Sequence, residues 1–215
     1  ANLTLRILRA VLNYARAVYE TGKGQPLLAA NPVAVMREAK TWARVKPRDR
    51  FIGFDALPDW WRAVQALESA TMRDYLVALL LTGRRRGEMA GLAWADVNVD
   101  AGTIIFKDTK NHEDLTVPMG PYLAAMMAER LAARGKDPDG NPCPWVFPAR
   151  ACEGPLQEPK KAVAEVVTAS GVRFSSHDLR RTFLTLADGL PGVSSYVLKG
   201  LAGHKAQDVT GRVYV

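Results

Sequence analysis

In the stretch Ser175-Ser176-His177-Asp178-Leu179-Arg180-Arg181-Thr182-Phe183, a histidine and an arginine stand three residues apart behind a serine pair. Leu179, Phe183 and Leu186 recur at the spacing of one helical face, so the stretch reads as the start of an amphipathic helix with Ser176 as its N-cap. Asp178 in the first turn suits the positive end of the helix dipole, and His177 and Arg180 become neighbours about 5–6 Å apart beside unpaired backbone N–H groups. Such a corner holds an anion. An ordinary capped helix with two surface polar residues has the same local pattern, so the weight of the reading rests on the rest of the chain.

A second concentration of charge, Arg84-Arg85-Arg86-Gly87-Glu88, follows Thr82-Gly83. Three consecutive arginines are commonly a solvated face. Directly after a helix cap, however, one of them can turn inward, with Glu88 to hold it. Lys107 and Lys110 lie in a polar tip between two β-rich runs, Gly203-His204 follows an apolar stretch, and Tyr214 stands in Val213-Tyr214-Val215. Singly, each has a structural reading: hairpin-tip lysines, packed histidines, a core or strand tyrosine. His112 reads as a hairpin-tip residue. Arg84, Arg86, Arg181 and Arg212 read as anion contacts or surface charge.

The elements that must position these residues follow from periodicity. Ile7, Leu8, Val11, Leu12, Ala15, Val18 and Tyr19 repeat as one helical face, ended by Thr21-Gly22-Lys23-Gly24, and Asn31-Pro32 opens a short second helix with proline in its favoured first turn. Residues 39–50 are charged, contain Pro47 and lack apolar periodicity, which marks a linker. Beyond it, helices are predicted over Pro58 to Leu67 and over Thr71 to Leu81, the latter closed by Gly83 in the left-handed cap conformation. A short helix carries Met89 and Leu92. Ile104-Ile105-Phe106 and Leu115-Thr116-Val117 form a hairpin. Helices then run from Pro121 to Arg134, with methionines in its packing stripe, from about Pro159 to Ala169, and from Val193 to Leu201. A Pro- and Gly-rich loop, residues 136–155, surrounds Trp145-Val146-Phe147. The fold class is mainly α with a small antiparallel β-sheet.

Composition agrees with this pattern. With 215 residues, 48% hydrophobic and 24% charged, the chain is long enough to bury roughly 70% of its unfolded surface. A formal charge of +7 favours a polyanionic partner without identifying it. Cys143 and Cys152, with no histidine near them, support neither a zinc site nor a disulfide framework and read as free thiols of a reducing cytoplasm. No apolar run reaches membrane-spanning length and no signal peptide is visible. The first residue is not methionine, which is expected of a piece of a longer protein.

Taken in order, the polar residues resemble the tyrosine recombinases, the family of phage integrases, from about Arg50 to Tyr214. Thr82-Gly83-Arg84-Arg85 resembles the family's Thr-Gly-x-Arg motif and makes Arg85 the first catalytic arginine. Thr109-Lys110 before Thr116-Val117-Pro118 is similar to its β-hairpin, making Lys110 the catalytic lysine with Lys107 as rival. His177-Asp178-Leu179-Arg180 matches the His-x-x-Arg box, Leu201-Ala202-Gly203-His204 the Leu-Gly-His box, and Tyr214 the nucleophile. Five motifs in the right order multiply their separate weights. Two departures are visible: Ala202 stands where glycine is more usual, and the interval from His204 to Tyr214 is one residue longer than in many bacterial members.

The resemblance implies that residues 1–42 are the end of a helical core-binding domain, 43–50 a linker and 51–215 the catalytic domain. It also implies double-stranded DNA as substrate, a homotetramer on that DNA, possible accessory DNA-bending proteins, no cofactor or metal, no membrane, and a cytoplasmic, nucleoid-associated place in a bacterial or phage-infected cell. The implied activity is that of an integrase serving a mobile element. Two rivals share the fold: a type IB topoisomerase with the same intermediate, and a DNA-binding module that does not cut.

The chemistry has its own logic. Cutting and rejoining DNA without a nucleotide cofactor requires the phosphodiester energy to be kept in a covalent link. The implied nucleophile Tyr214 has a free pKa near 10, so ionising it at pH 7 costs about 4 kcal/mol without a base and nearby positive charge. Two arginine forks, Arg85 and Arg180, suit the non-bridging oxygens of the phosphorane. Lys110 is placed to protonate the departing 5′ oxygen. His177 accepts or shares the tyrosine proton, His204 hydrogen-bonds the phosphate, and Glu88 orients an arginine.

Overall fold

A computed structural model describes residues 2–39, 41–42, 50–107, 114–194, 197–198 and 200. The chain separates into two compact units, Ala1–Arg48 and Asp49–Val215.

The first unit contains α1 (Asn2–Val18), a short 3-10 turn (Pro32–Ala34) and α2 (Val35–Glu38). None of the residues of α1 is buried. Asn31 ties the pieces: its amide donates to the Arg9 carbonyl (2.9 Å) and the Asn13 side chain (2.7 Å), while its oxygen caps the turn through the Val33 N–H (3.0 Å).

The second unit is built around one helix. Its elements are α3 (Leu57–Gln65), α4 (Ala70–Thr82), α5 (Arg86–Ala90), β1 (Val97–Asn98), β2 (Thr103–Phe106), β3 (Leu115–Pro118), α6 (Pro121–Ala132), α7 (Lys160–Ser170) and α8 (Ser176–Asp188). From Asp74 to Leu80, α4 is buried on every side, because α3, α5, α6 and α8 all pack against it. A helix apolar all round is what a central position demands. The sheet is antiparallel in the order β1-β2-β3, with Ile104 opposite Val117 and Val97. Ile104 and Val117 therefore share the face turned to the core, where both are buried. The fold is mainly α with a small antiparallel sheet, as the periodicity implies, although the two-residue β1 is too short to leave a sequence signal.

Aromatic contacts brace α4 and α3. Tyr75 meets Phe147 edge-on at 5.4 Å and Trp60 meets Phe174 at 5.7 Å. Arg130 of α6 lies over Phe147, bonds the Val146 carbonyl and pairs with Asp74 of α4 at 2.9 Å. The loop after α6 is thus held to the core, and it also bonds the segment after α5 through Trp94 N–H to Pro144 O (2.8 Å) and Val146 N–H to Leu92 O (2.9 Å).

Two expectations are corrected here. Cys143 and Cys152 are not free thiols but form a disulfide across a Cα separation of 6.0 Å. The pairing of Pro148 with Pro155 turns the loop back on itself, a long-range geometry that composition does not reveal. The cap of α8 is Ser175 rather than Ser176: Ser175 is extended (φ −129°, ψ 165°), and its N–H and hydroxyl reach the Asp178 carboxylate at 2.9 and 2.8 Å. The linker falls largely outside the described residues; of the expected helix over Val193 to Leu201, residues 197, 198 and 200 are described and are helical.

Candidate active site

The site forms where the end of α4 meets the start of α8. Helix α4 stops at Gly83, which takes the left-handed conformation (φ 60°) and bonds the Leu79 carbonyl. The turn must be tight, because the Phe183 ring of α8 lies directly on it: a Cβ at position 83 would stand 2.9 Å from both Cε1 and Cγ of that ring. Thr182, one residue earlier on α8, accepts from the Ile52 N–H (2.8 Å) and donates to the Asp178 carbonyl (2.9 Å). The Tyr75 hydroxyl donates to the Arg86 carbonyl at 2.9 Å and fixes the far side of the turn; burial pushes this phenol up to about 12.

From this turn the three arginines diverge. Arg86 is surface charge, paired with Glu158. Arg85 caps α5: Glu88 takes its Nη1 at 2.6 Å and its backbone N–H at 3.2 Å. Arg84 goes inward and is 1% exposed. The expectation that Arg84 is an anion contact or surface charge is therefore corrected, because after a left-handed cap the chain reverses and carries its next side chain back under the helix. Glu88 holds Arg85 and not the arginine that turns inward, which corrects the expectation that it would hold the inward one.

On α8, Arg180 is 5% exposed and donates from Nη1 to the Gly83 carbonyl at 2.6 Å. This bond joins the Thr-Gly turn to the His-x-x-Arg helix. Burial lowers the proton affinity of the Arg180 guanidinium, the charge of Arg85 lowers it further, and Glu88 opposes both. Arg85 and Arg180 therefore share one electrostatic environment. His177 lies on the exposed side of the first turn. Partial loss of hydration, then the charges of Arg181 and Arg180, hold its imidazole below the ordinary value, with Asp178 opposing them. Arg181 pairs with Asp178 at 3.3 Å.

A cleft of about 270 Å³ opens beside His177, lined also by Arg86, Glu158, Lys160, Ser175 and Ser176. Lys107, just after β2, is exposed and bound to Asp96, whose hydrogen bond and charge raise its proton affinity. Of the six expected catalytic residues, Arg85, His177 and Arg180 thus lie in one region. Lys110, His204 and Tyr214 lie outside the described residues. The sequence places Gly83 as the left-handed cap but not as the floor under Phe183, and it does not single out Thr182 as a support or Arg84 as the buried charge. Its place directly after the left-handed cap is the local signal that could have picked out Arg84. Among the described residues, no group of three His, Cys, Asp or Glu side chains could hold a metal ion, and no helix is long and apolar enough to cross a membrane.

The phage integrase family matches residues 55–215. Prophage integrase IntF of Escherichia coli K12 is 32% identical over 161 residues, covering 74% of this chain and 34% of that protein. The chain spans about a third of the length of this curated relative. Among solved structures, a lambda integrase (75–356) dimer bound to a core site aligns with a TM-score of 0.67 at 19% identity, over 95% of this chain and 71% of that one. A Tn1549 transposon integrase in complex with a circular intermediate DNA aligns at 0.72 and 17%, over 94% and 70%. XerH site-specific recombinase bound to difH substrate aligns at 0.67 and 18%, over 98% and 60%. At these identities the structures speak for the fold, and together with the family match over residues 55–215 they make this chain a member of the phage integrase family of tyrosine recombinases.

Proposed function

We propose that the chain carries the catalytic part of a site-specific DNA recombinase, an integrase that inserts or excises a mobile element through a 3′-phosphotyrosine intermediate. The observation that carries the reading is the 2.6 Å bond from Arg180 to the Gly83 carbonyl, which draws two arginine-bearing turns into one cationic corner beside His177. Double-stranded DNA is the substrate. Residues 1–42 contribute the end of a DNA-binding domain, 43–50 the linker and 51–215 the catalytic domain.

In this mechanism the Tyr214 oxygen attacks the scissile phosphorus, the P–O5′ bond breaks, and the 5′ oxygen leaves as a hydroxyl. Lys110 supplies that proton, and His177 receives the one lost by tyrosine. A neutral imidazole is required for this, which the downward shift at His177 favours. Arg85, oriented by Glu88, and Arg180, anchored on Gly83, clamp the non-bridging oxygens as charge builds on them. His204 adds a hydrogen bond to the phosphate. Attack by the 5′ hydroxyl of another strand reverses the step and releases Tyr214, so bond energy is conserved without a cofactor. Strand exchange takes place in a tetramer on the DNA, assisted by accessory DNA-bending proteins, in the cytoplasm.

Paired target sites on one plasmid test this function in the full-length protein. Exchange of the markers flanking the sites is the expected result. Relaxation of supercoiled plasmids lacking the sites, without exchange, would assign the chain to topoisomerase chemistry instead.

A further inference from the structure

Arg84 is an unusual residue for its position. Its guanidinium is sealed from solvent, and Nη1 and Nη2 have no hydrogen-bond partner among the described residues. Compensation is slight: Nε reaches the Thr82 carbonyl only at 3.5 Å, and the Phe106 ring centroid lies 5.6 Å from Cζ. A buried, unsatisfied cation is costly, since desolvation is not balanced by bonds. Among the described residues, the charged groups that act on it are Arg180, Glu88 and Arg85. Two of the three repel it, and Glu88 is already engaged by the Arg85 side chain and backbone. Among the described residues, the corner thus collects three guanidinium groups around one carboxylate.

We propose that Arg84 is a positioning charge for the phosphate clamp: it touches no DNA, but raises the positive potential at Arg85 and Arg180, at a cost to the free fold that a bound phosphate relieves. This rests on the reading of Arg85 and Arg180 as phosphate ligands. The same surroundings push the Arg84 guanidinium down to about 10, chiefly by desolvation and then by Arg180, so the group remains charged at neutral pH. An apolar side chain of similar length at position 84 would pack under the cap without this penalty.

The test uses the full-length chain, its Arg84→Met and Arg84→Lys variants, and inorganic phosphate as the probe. Thermal denaturation is followed as phosphate is titrated at constant ionic strength. Arg84→Met is expected to melt higher than wild type when phosphate is absent, and to bind phosphate more weakly. A unit charge on the order of 8 Å from an anion at an effective dielectric of about 20 changes affinity by about thirtyfold, so a loss of ten- to thirtyfold is expected. Arg84→Lys keeps the charge and should stay within about threefold of wild type. A methionine variant that melts lower or fails to fold, or that binds phosphate like wild type, overturns the proposal; so does a lysine variant as weak as the methionine one. Covalent adduct formation on DNA is scored separately. An Arg84-dependent phosphate affinity without adducts would leave the proposal standing and remove the recombinase reading, whereas adducts with Arg84-independent affinity would do the reverse.

Discussion

Substituting Gly83 by alanine probes the junction on which both arginine-bearing turns depend. Two costs add. An L-residue held at φ 60° gives up about 1–2 kcal/mol to left-handed strain, and a methyl group forced within 2.9 Å of the Phe183 ring carbons adds about 1–3 kcal/mol of overpacking. The sum, roughly 2–5 kcal/mol, corresponds to a melting temperature lowered by about 5–15 °C for a domain of this size. Relief requires α8 to move away from α4, which displaces Arg180 from the Gly83 carbonyl it now bonds at 2.6 Å. A shift of about 1 Å in a positioning group costs on the order of a hundredfold in rate. Thermal denaturation gives the first quantity and adduct formation at a temperature where the variant is folded gives the second. Replacing Phe183 by leucine in the same chain removes the ring but not the strained φ, so the double variant should recover about 1 kcal/mol or more relative to the sum of the single changes. Stability within about 0.5 kcal/mol of wild type, or a cost unaffected by shrinking Phe183, would refute the close-approach argument.

Thr182→Val should destabilise the protein by about 1–3 kcal/mol, because the buried Ile52 N–H loses its acceptor; Thr182→Ser, which keeps the oxygen, should cost clearly less in urea denaturation, and equal losses would contradict the assignment. His177 should titrate below 6.5 by NMR, and Arg181→Ala should move its midpoint upward by removing a neighbouring charge. A base whose proton affinity falls on folding binds fewer protons folded than unfolded, so its contribution to stability is complete above pH 6.5 and is lost as pH falls below that value. A midpoint above 6.5, or one unmoved in the Arg181 variant, would contradict the electrostatic account.

Much of the frame was legible in the chain because local rules decide it. Thr82-Gly83 ends α4 where a left-handed cap is needed, and Leu179 lies on the buried face of α8 with Phe183 half-buried beside it. Helical spacing put His177 and Arg180 on neighbouring turns of α8, whereas the bond from Arg180 to Gly83 was not legible. What escaped depends on which of several available partners each side chain takes, some of them close in sequence and some far. Three adjacent arginines have three fates, set by Glu88, by Glu158 and by the packing of Phe106 over Arg84. The disulfide depends on how the 143–152 loop folds back. The cap of α8 differs by one residue because Asp178 at the third helical position bonds the N–H and hydroxyl of Ser175.

The central claim is strand cleavage by Tyr214 at a phosphate held by Arg85 and Arg180. Covalent trapping tests it most directly: full-length protein is incubated with nicked suicide substrates, denatured, and assayed for protein-linked DNA beside Tyr214→Phe. An adduct joining Tyr214 to a 3′ phosphate, absent from the phenylalanine variant, is the predicted result. DNA binding with no adduct on any suicide substrate, or an adduct that persists in Tyr214→Phe, would contradict it.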